Sequence, residues 1–231
     1  MTLMGGGSGG GNFYGGGGGG YSPTPPSTPI SNKLTKRNDL SENDKKILEE
    51  KLKELEDNCA YAALIQFTHK KNLLLNNIRM DPNIKTPAQY NYVTNEIIFR
   101  NSSSLEGNTF NEEFIHFIQN HIYEGGITKY RDKGRINLEF EAKLIQDIIC
   151  QKYAPHLSGC GLLGAHGESA EAYIKWIEDL IKLPSFPNYE IVKNNYWKFM
   201  EGLKDTPEYN KPIDTNLVPQ LLNYISNNAC K

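Results

Sequence analysis

Residues 108–121 read NTFNEEFIHFIQNH, and three side chains in this stretch could do chemistry together: Glu112, Glu113 and His116. On a helix, residues four apart lie one above the other, so Glu112 and His116 can chelate a single ion. A carboxylate oxygen and an imidazole nitrogen both bind a dication such as zinc at roughly 2.0–2.2 Å. A Glu/His pair is therefore geometrically competent. Glu113 would stand beside such an ion, where a carboxylate can take a proton from a bound water.

The surrounding pattern predicts a buried helix from about Thr109 to Tyr123, stopped by Gly125-Gly126. Phe110, Phe114, Phe117 and Ile118 cover one broad side, and Ile115 and Ile122 extend it. One polar stripe interrupts them: Glu112, His116, Gln119 and Tyr123, with Glu113 on its edge. Glutamate is rarely buried without a partner. Two acids and a histidine on a buried stripe call for a counter-charge, which a metal dication supplies. The bland account is a helix whose polar side chains hydrogen-bond in the core or face water. A third ligand is sought on the next helix, 137–152 (NLEFEAKLIQDIICQK), where Glu139 and Glu141 are both candidates. For either acid, the alternative is a place near a helix N-terminus, where the dipole favours negative charge.

At these residues the chain resembles the zincin metallopeptidases, and among them the gluzincin arrangement. EEFIHFIQ is similar to that group's HExxHxxQ segment, and EFEA to the ExxA segment carrying its third ligand. The segment 96–100 falls where the family has its edge strand. The resemblance covers about residues 90–150. It implies an α+β, mostly helical, zincin-like domain, with a small antiparallel sheet or hairpin before the active-site helix. It implies that Glu113 is the general base, His116 the second histidine ligand and Glu139 the third ligand, through its spacing to Ala142. Glu112 stands where the first histidine belongs. The implied activity is hydrolysis of a protein or peptide substrate by a metal-activated water, with zinc as the metal. Exchanging His for Glu adds a hard anionic donor, which shifts preference toward manganese or calcium and lowers the charge that polarises water. The alternative is a catalytically inactive domain of the same fold, serving as a binding or interaction module.

Rival chemistries are weaker. Glu113 and His116 form one ExxH pair, but a di-iron bundle needs two; His69, His121, His156 and His166 have no glutamate three residues before them. Cys160 and His166 share a loop without an identifiable orienting group. The loop SGCGLLGAHG lacks the phosphate-cradling GxxxxGK[ST] pattern. Cys59, Cys150, Cys160 and Cys230 are spaced like neither a disulfide framework nor a zinc site, so they read as buried or free thiols.

The elements that must position the site follow from periodicity. Ser41 is a plausible N-cap, with helical spacing from Ile47 to Ile65; residues 88–100 alternate about a turn at Thr94-Asn95. Ser169 is the expected cap of a helix whose apolar face holds Ile174, Ile177, Leu180 and Ile181, and further helices fit 189–204 and 216–227. Residues 1–36, glycine-rich and then proline-rich, read as a disordered tether ahead of a single domain, 37–231. The 231 residues carry a net charge of −2 with no basic block, which argues against nucleic-acid binding. No transmembrane stretch or signal peptide is visible. The tether suggests a bacterial cargo, made in the cytoplasm and exported by a dedicated delivery machinery as an effector or toxin. A neutralising partner protein would then be expected.

Overall fold

A computed structural model describes residues 28–106, 108–154 and 160–230. The chain is α+β and mostly helical, with one small three-stranded sheet. Ser41 caps α1 (Glu42–Glu56): its Oγ accepts from Asp44 N at 3.2 Å and donates to the Asp44 carboxylate at 2.6 Å. Asn58 caps α2 (Cys59–Lys70), accepting from Ala60 N and Tyr61 N. The helical spacing that follows Ser41 thus belongs to two helices, each with its own cap.

The sheet differs from the antiparallel expectation. Strands β1 (Asn77–Met80), β2 (Ala88–Asn91) and β3 (Glu96–Phe99) lie in the order β1-β3-β2. The β2–β3 hairpin is antiparallel as expected, but β1 pairs parallel to β3, so the sheet is mixed. The hairpin turn forms because Asn91 Oδ1 accepts from Val93 N and Thr94 N, and Asn95 takes the left-handed φ of 55°. Residues 34–39 run beside β1 through bridges Thr35–Leu75 and Asn38–Ile78. Folded structure therefore begins before residue 37. Leu34 is fully buried, and the Glu49 carboxylate accepts from Ile30 N and Ser31 N at 2.7 and 3.0 Å. The rest of the expected tether, 1–27, lies outside the described residues.

After a short α3 (Ser103–Glu106), helices α4 (Thr109–Ile122) and α5 (Arg135–Ile148) form the centre. Phe110, Phe114 and Phe117 stack along α4, and Phe99 of β3 stacks on Phe110. Gly125 and Gly126 end this region with φ of 79° and 66°; a Cβ on Gly126 would meet Asn120 Oδ1 at 2.6 Å. Around this pair pack α6 (Ala170–Leu180), α7 (Tyr189–Gly202) and α8 (Gln220–Asn228). Ser169 precedes α6 but does not cap it; its hydroxyl donates to His166 O instead. The buried face of α6 is Tyr173, Trp176, Ile177 and Leu180, while Ile174 is exposed.

The thiol expectation is overturned. Cys59 pairs with Cys230, and Cys150 with Cys160. The first bridge ties the start of α2 to the segment after α8, across 171 residues of sequence. The second leaves no thiol at Cys160 to serve as a nucleophile. No described helix is long and apolar enough to cross a membrane.

Candidate metal centre

Helical spacing places Glu112 and His116 on successive turns of α4, and α5 brings Glu139 opposite them. One ligand atom from each of these three lies within 4.8 Å of the other two. His116 Nε2 is 3.6 Å from Glu139 Oε2. The three side chains lie at a cavity of about 550 Å³, which Glu113, Arg131, Lys143 and Tyr209 also line. Two carboxylates and an imidazole converging on one point are a donor set that fits a dication.

The polar stripe of α4 divides into two parts. Glu112 and His116 face the cavity. Gln119 and Tyr123 turn into the protein and meet Glu141: Gln119 Nε2 donates to its Oε2 at 2.8 Å, and the Tyr123 hydroxyl at 2.7 Å. The other Glu141 oxygen accepts from Leu221 N and Leu222 N, at the N-terminus of α8. Glu141 is fully buried and thus caps α8 from another helix. This resolves the choice of third candidate ligand in favour of Glu139. Glu141 is not at the N-terminus of its own helix, α5, as the alternative account expects; the terminus it meets is that of α8.

Gln119 joins the two parts, since its Oε1 meets His116 Nδ1 at 2.8 Å. An oxygen there makes Nδ1 a donor and turns Nε2 toward Glu139. Glu113 lies on the rim, and its Oε2 accepts from Tyr90 N of β2 at 2.5 Å. His121, at the exposed end of α4, has its ring against Phe117 and takes no part.

Charge in the site is dense. Burial pushes the Glu113 carboxyl up to about 7, with Glu112 and Glu139 adding to the rise and His116 opposing it. Burial opposes a charge on His116, but Glu139, Glu113 and Glu112 outweigh it and raise the ring to about 10. Burial likewise works against the Glu139 carboxylate, yet His116, Lys143 and Arg135 hold it down at about 2. The carboxylate field that favours a proton on His116 also favours a dication.

Three neighbours escaped sequence reasoning. Lys143 Nζ lies 2.9 Å from Glu112 Oε1, Arg135 Nε lies 3.7 Å from Glu139 Oε1, and the Tyr209 ring lies 5.3 Å from the Lys143 ammonium. Lys143 could have been found, because it falls one turn after Glu139 on the same helix. Tyr209 carries no such local signal. Comparison with family models, with curated proteins and with solved structures gives no match.

Proposed function

We propose that this chain is a zincin-like, metal-dependent peptidase in which Glu112, His116 and Glu139 hold the metal and Glu113 is the general base. The observation that carries the reading is the convergence of those three ligand atoms within 4.8 Å, at an open cavity, with a fourth carboxylate beside them. When bound, a dication supplies Lewis-acid polarisation of a peptide carbonyl and makes water more acidic. Glu113 accepts a proton from water in the cavity and returns it to the leaving amine. Gln119 orients the His116 ring, and Arg135 restrains Glu139. Zinc fits the donor set, and its two carboxylates also admit manganese or calcium.

The two disulfides suit an oxidising compartment, as export of the chain would provide. A second reading has one observation in its favour. The Glu113 carboxylate holds the backbone of β2, so it also has a structural role, as it would in a binding module without catalysis.

Metal content by elemental analysis, combined with cleavage of an unstructured protein by the parent and by Glu113→Gln, tests both. Glutamine can still accept from Tyr90 N, so the fold and metal are expected to persist while cleavage is lost. Equal cleavage by the two proteins would remove Glu113 as the base. No cleavage under zinc, manganese or calcium, with metal bound, would favour the binding module.

A further inference from the structure

We infer that Glu112 and Lys143 act as one ligand unit, a carboxylate whose charge is offset by its own ammonium, which presents to a dication the net charge of a neutral imidazole. This rests on the metal-binding reading above. Lys143 Nζ donates to Glu112 Oε1 at 2.9 Å, and the lysine side chain is only 8% exposed. Among the described residues Glu112 Oε2 has no hydrogen-bond partner, so one oxygen holds the ammonium while the other is free to ligate. Helix α5 thus supplies both the third ligand, Glu139, and the counter-charge one turn later. The Tyr209 ring lies against the ammonium and helps to shield it from water.

The arithmetic of charge gives the pair its meaning. A dication held by two carboxylates and a neutral imidazole is a centre of no net charge. Lys143 restores one positive charge, and this is the balance that two imidazoles and one carboxylate would give. A glutamate at 112 with a lysine at 143 therefore need not weaken the field at a substrate carbonyl. Arg135 also approaches Glu139, but its side chain is 47% exposed, so water screens it far more than Lys143. The rival is that the ammonium itself takes the place of an ion.

Zinc binding by equilibrium dialysis separates these ideas, using the full chain, Glu112→His, Lys143→Met and the double variant, with thermal melting as the check on folding. The parent is expected to hold zinc near stoichiometrically. Glu112→His leaves an unpaired ammonium facing the ion and weakens zinc about tenfold or more, whereas the double variant returns to within about threefold of the parent. Lys143→Met alone tightens zinc about tenfold, because an opposing charge has gone. Equal zinc affinity for Glu112→His and the double variant would overturn the inference. Should Glu112→His fail to fold, Lys143→Met decides: unchanged or weaker zinc overturns the inference. A parent without zinc whose Lys143→Met variant gains it would make the ammonium the occupant. Absence of zinc from both would remove the metal reading itself, and the inference with it.

Discussion

Gln119 donates to Glu141 across the interface between α4 and α5, Nε2 to Oε2, at 2.8 Å. This bond fixes which way the Gln119 amide faces. Its nitrogen is held by Glu141 and by Leu138 O, so its oxygen is turned to His116. The imidazole of the candidate centre is thereby oriented by a carboxylate two steps away, which also caps α8. Site and core share one hydrogen-bond chain.

Gln119→Leu should separate those roles. Without the amide oxygen, His116 keeps its place on α4 but loses the group that sets its ring and tautomer. Metal affinity is expected to fall about 10–100-fold. Stability should fall by only about 1–2 kcal/mol, for one lost partner of Glu141. Equilibrium dialysis and urea unfolding read the two effects separately. An unchanged metal affinity would mean that the ring is held without Gln119.

Glu141→Ala should act on stability more strongly. It orphans one Gln119 donor and two N–H groups that begin α8, and takes the nearest acceptor from the Tyr123 hydroxyl. Each buried unsatisfied group costs about 1–3 kcal/mol, so a total loss above about 3 kcal/mol is expected. Glu141→Gln, which keeps an acceptor, should lose about half as much. A loss below about 1 kcal/mol for Glu141→Ala, by denaturant titration, would contradict the capping role.

The parts of this molecule that follow from local pattern were legible in the sequence. The apolar period marks α4 and α5, Ser41 with Asp44 three residues on marks the cap of α1, and the alternation over 88–100 marks the β2–β3 hairpin. Helical spacing places Glu112 and His116 together, while the choice of Glu139 over Glu141 came from the family resemblance, and the packing of α5 on α4 brings it to them. What escaped was non-local. The four residues of β1, Asn77-Ile78-Arg79-Met80, alternate over too short a run to mark a strand and become one by pairing with β3. Residues 28–36 look like linker, yet Leu34 is buried because β1 lies beside it. Nothing in the spacing of Cys59 and Cys230 signals that α2 and α8 are neighbours.

That bridge should matter more than its counterpart. A crosslink restricts the unfolded chain in proportion to the logarithm of the loop it closes. Separations of 171 and 10 residues correspond to about 5 and about 3 kcal/mol in the chain-entropy model. Cys59→Ala is therefore expected to lower the urea midpoint further than Cys160→Ala, and non-reducing peptide mapping should recover both pairs. Equal losses would mean that native-state packing, not chain entropy, sets the effect.

The pH dependence of stability should carry the signature of Asp147. This side chain is fully buried on α5, where it accepts from Leu163 N, Gly164 N and the Tyr173 hydroxyl. Burial raises its carboxyl from the ordinary 3.8 to about 6, against the pull of those donors. In the window between these values the folded protein holds a proton that the unfolded chain has released. Unfolding then releases a proton, so stability falls as pH rises from about 4 to about 6 and levels off above that. The fall attributable to Asp147 is on the order of 2–3 kcal/mol. Glu113 and Glu141 are also raised by burial and add to the slope, so the comparison is with Asp147→Asn, in which this contribution is missing. Asparagine cannot accept all three hydrogen bonds, so that variant should be less stable than the parent at pH 4, and the gap should narrow by pH 7. A gap that stays constant or widens as pH rises would show that the donors around Asp147 keep it ionised throughout.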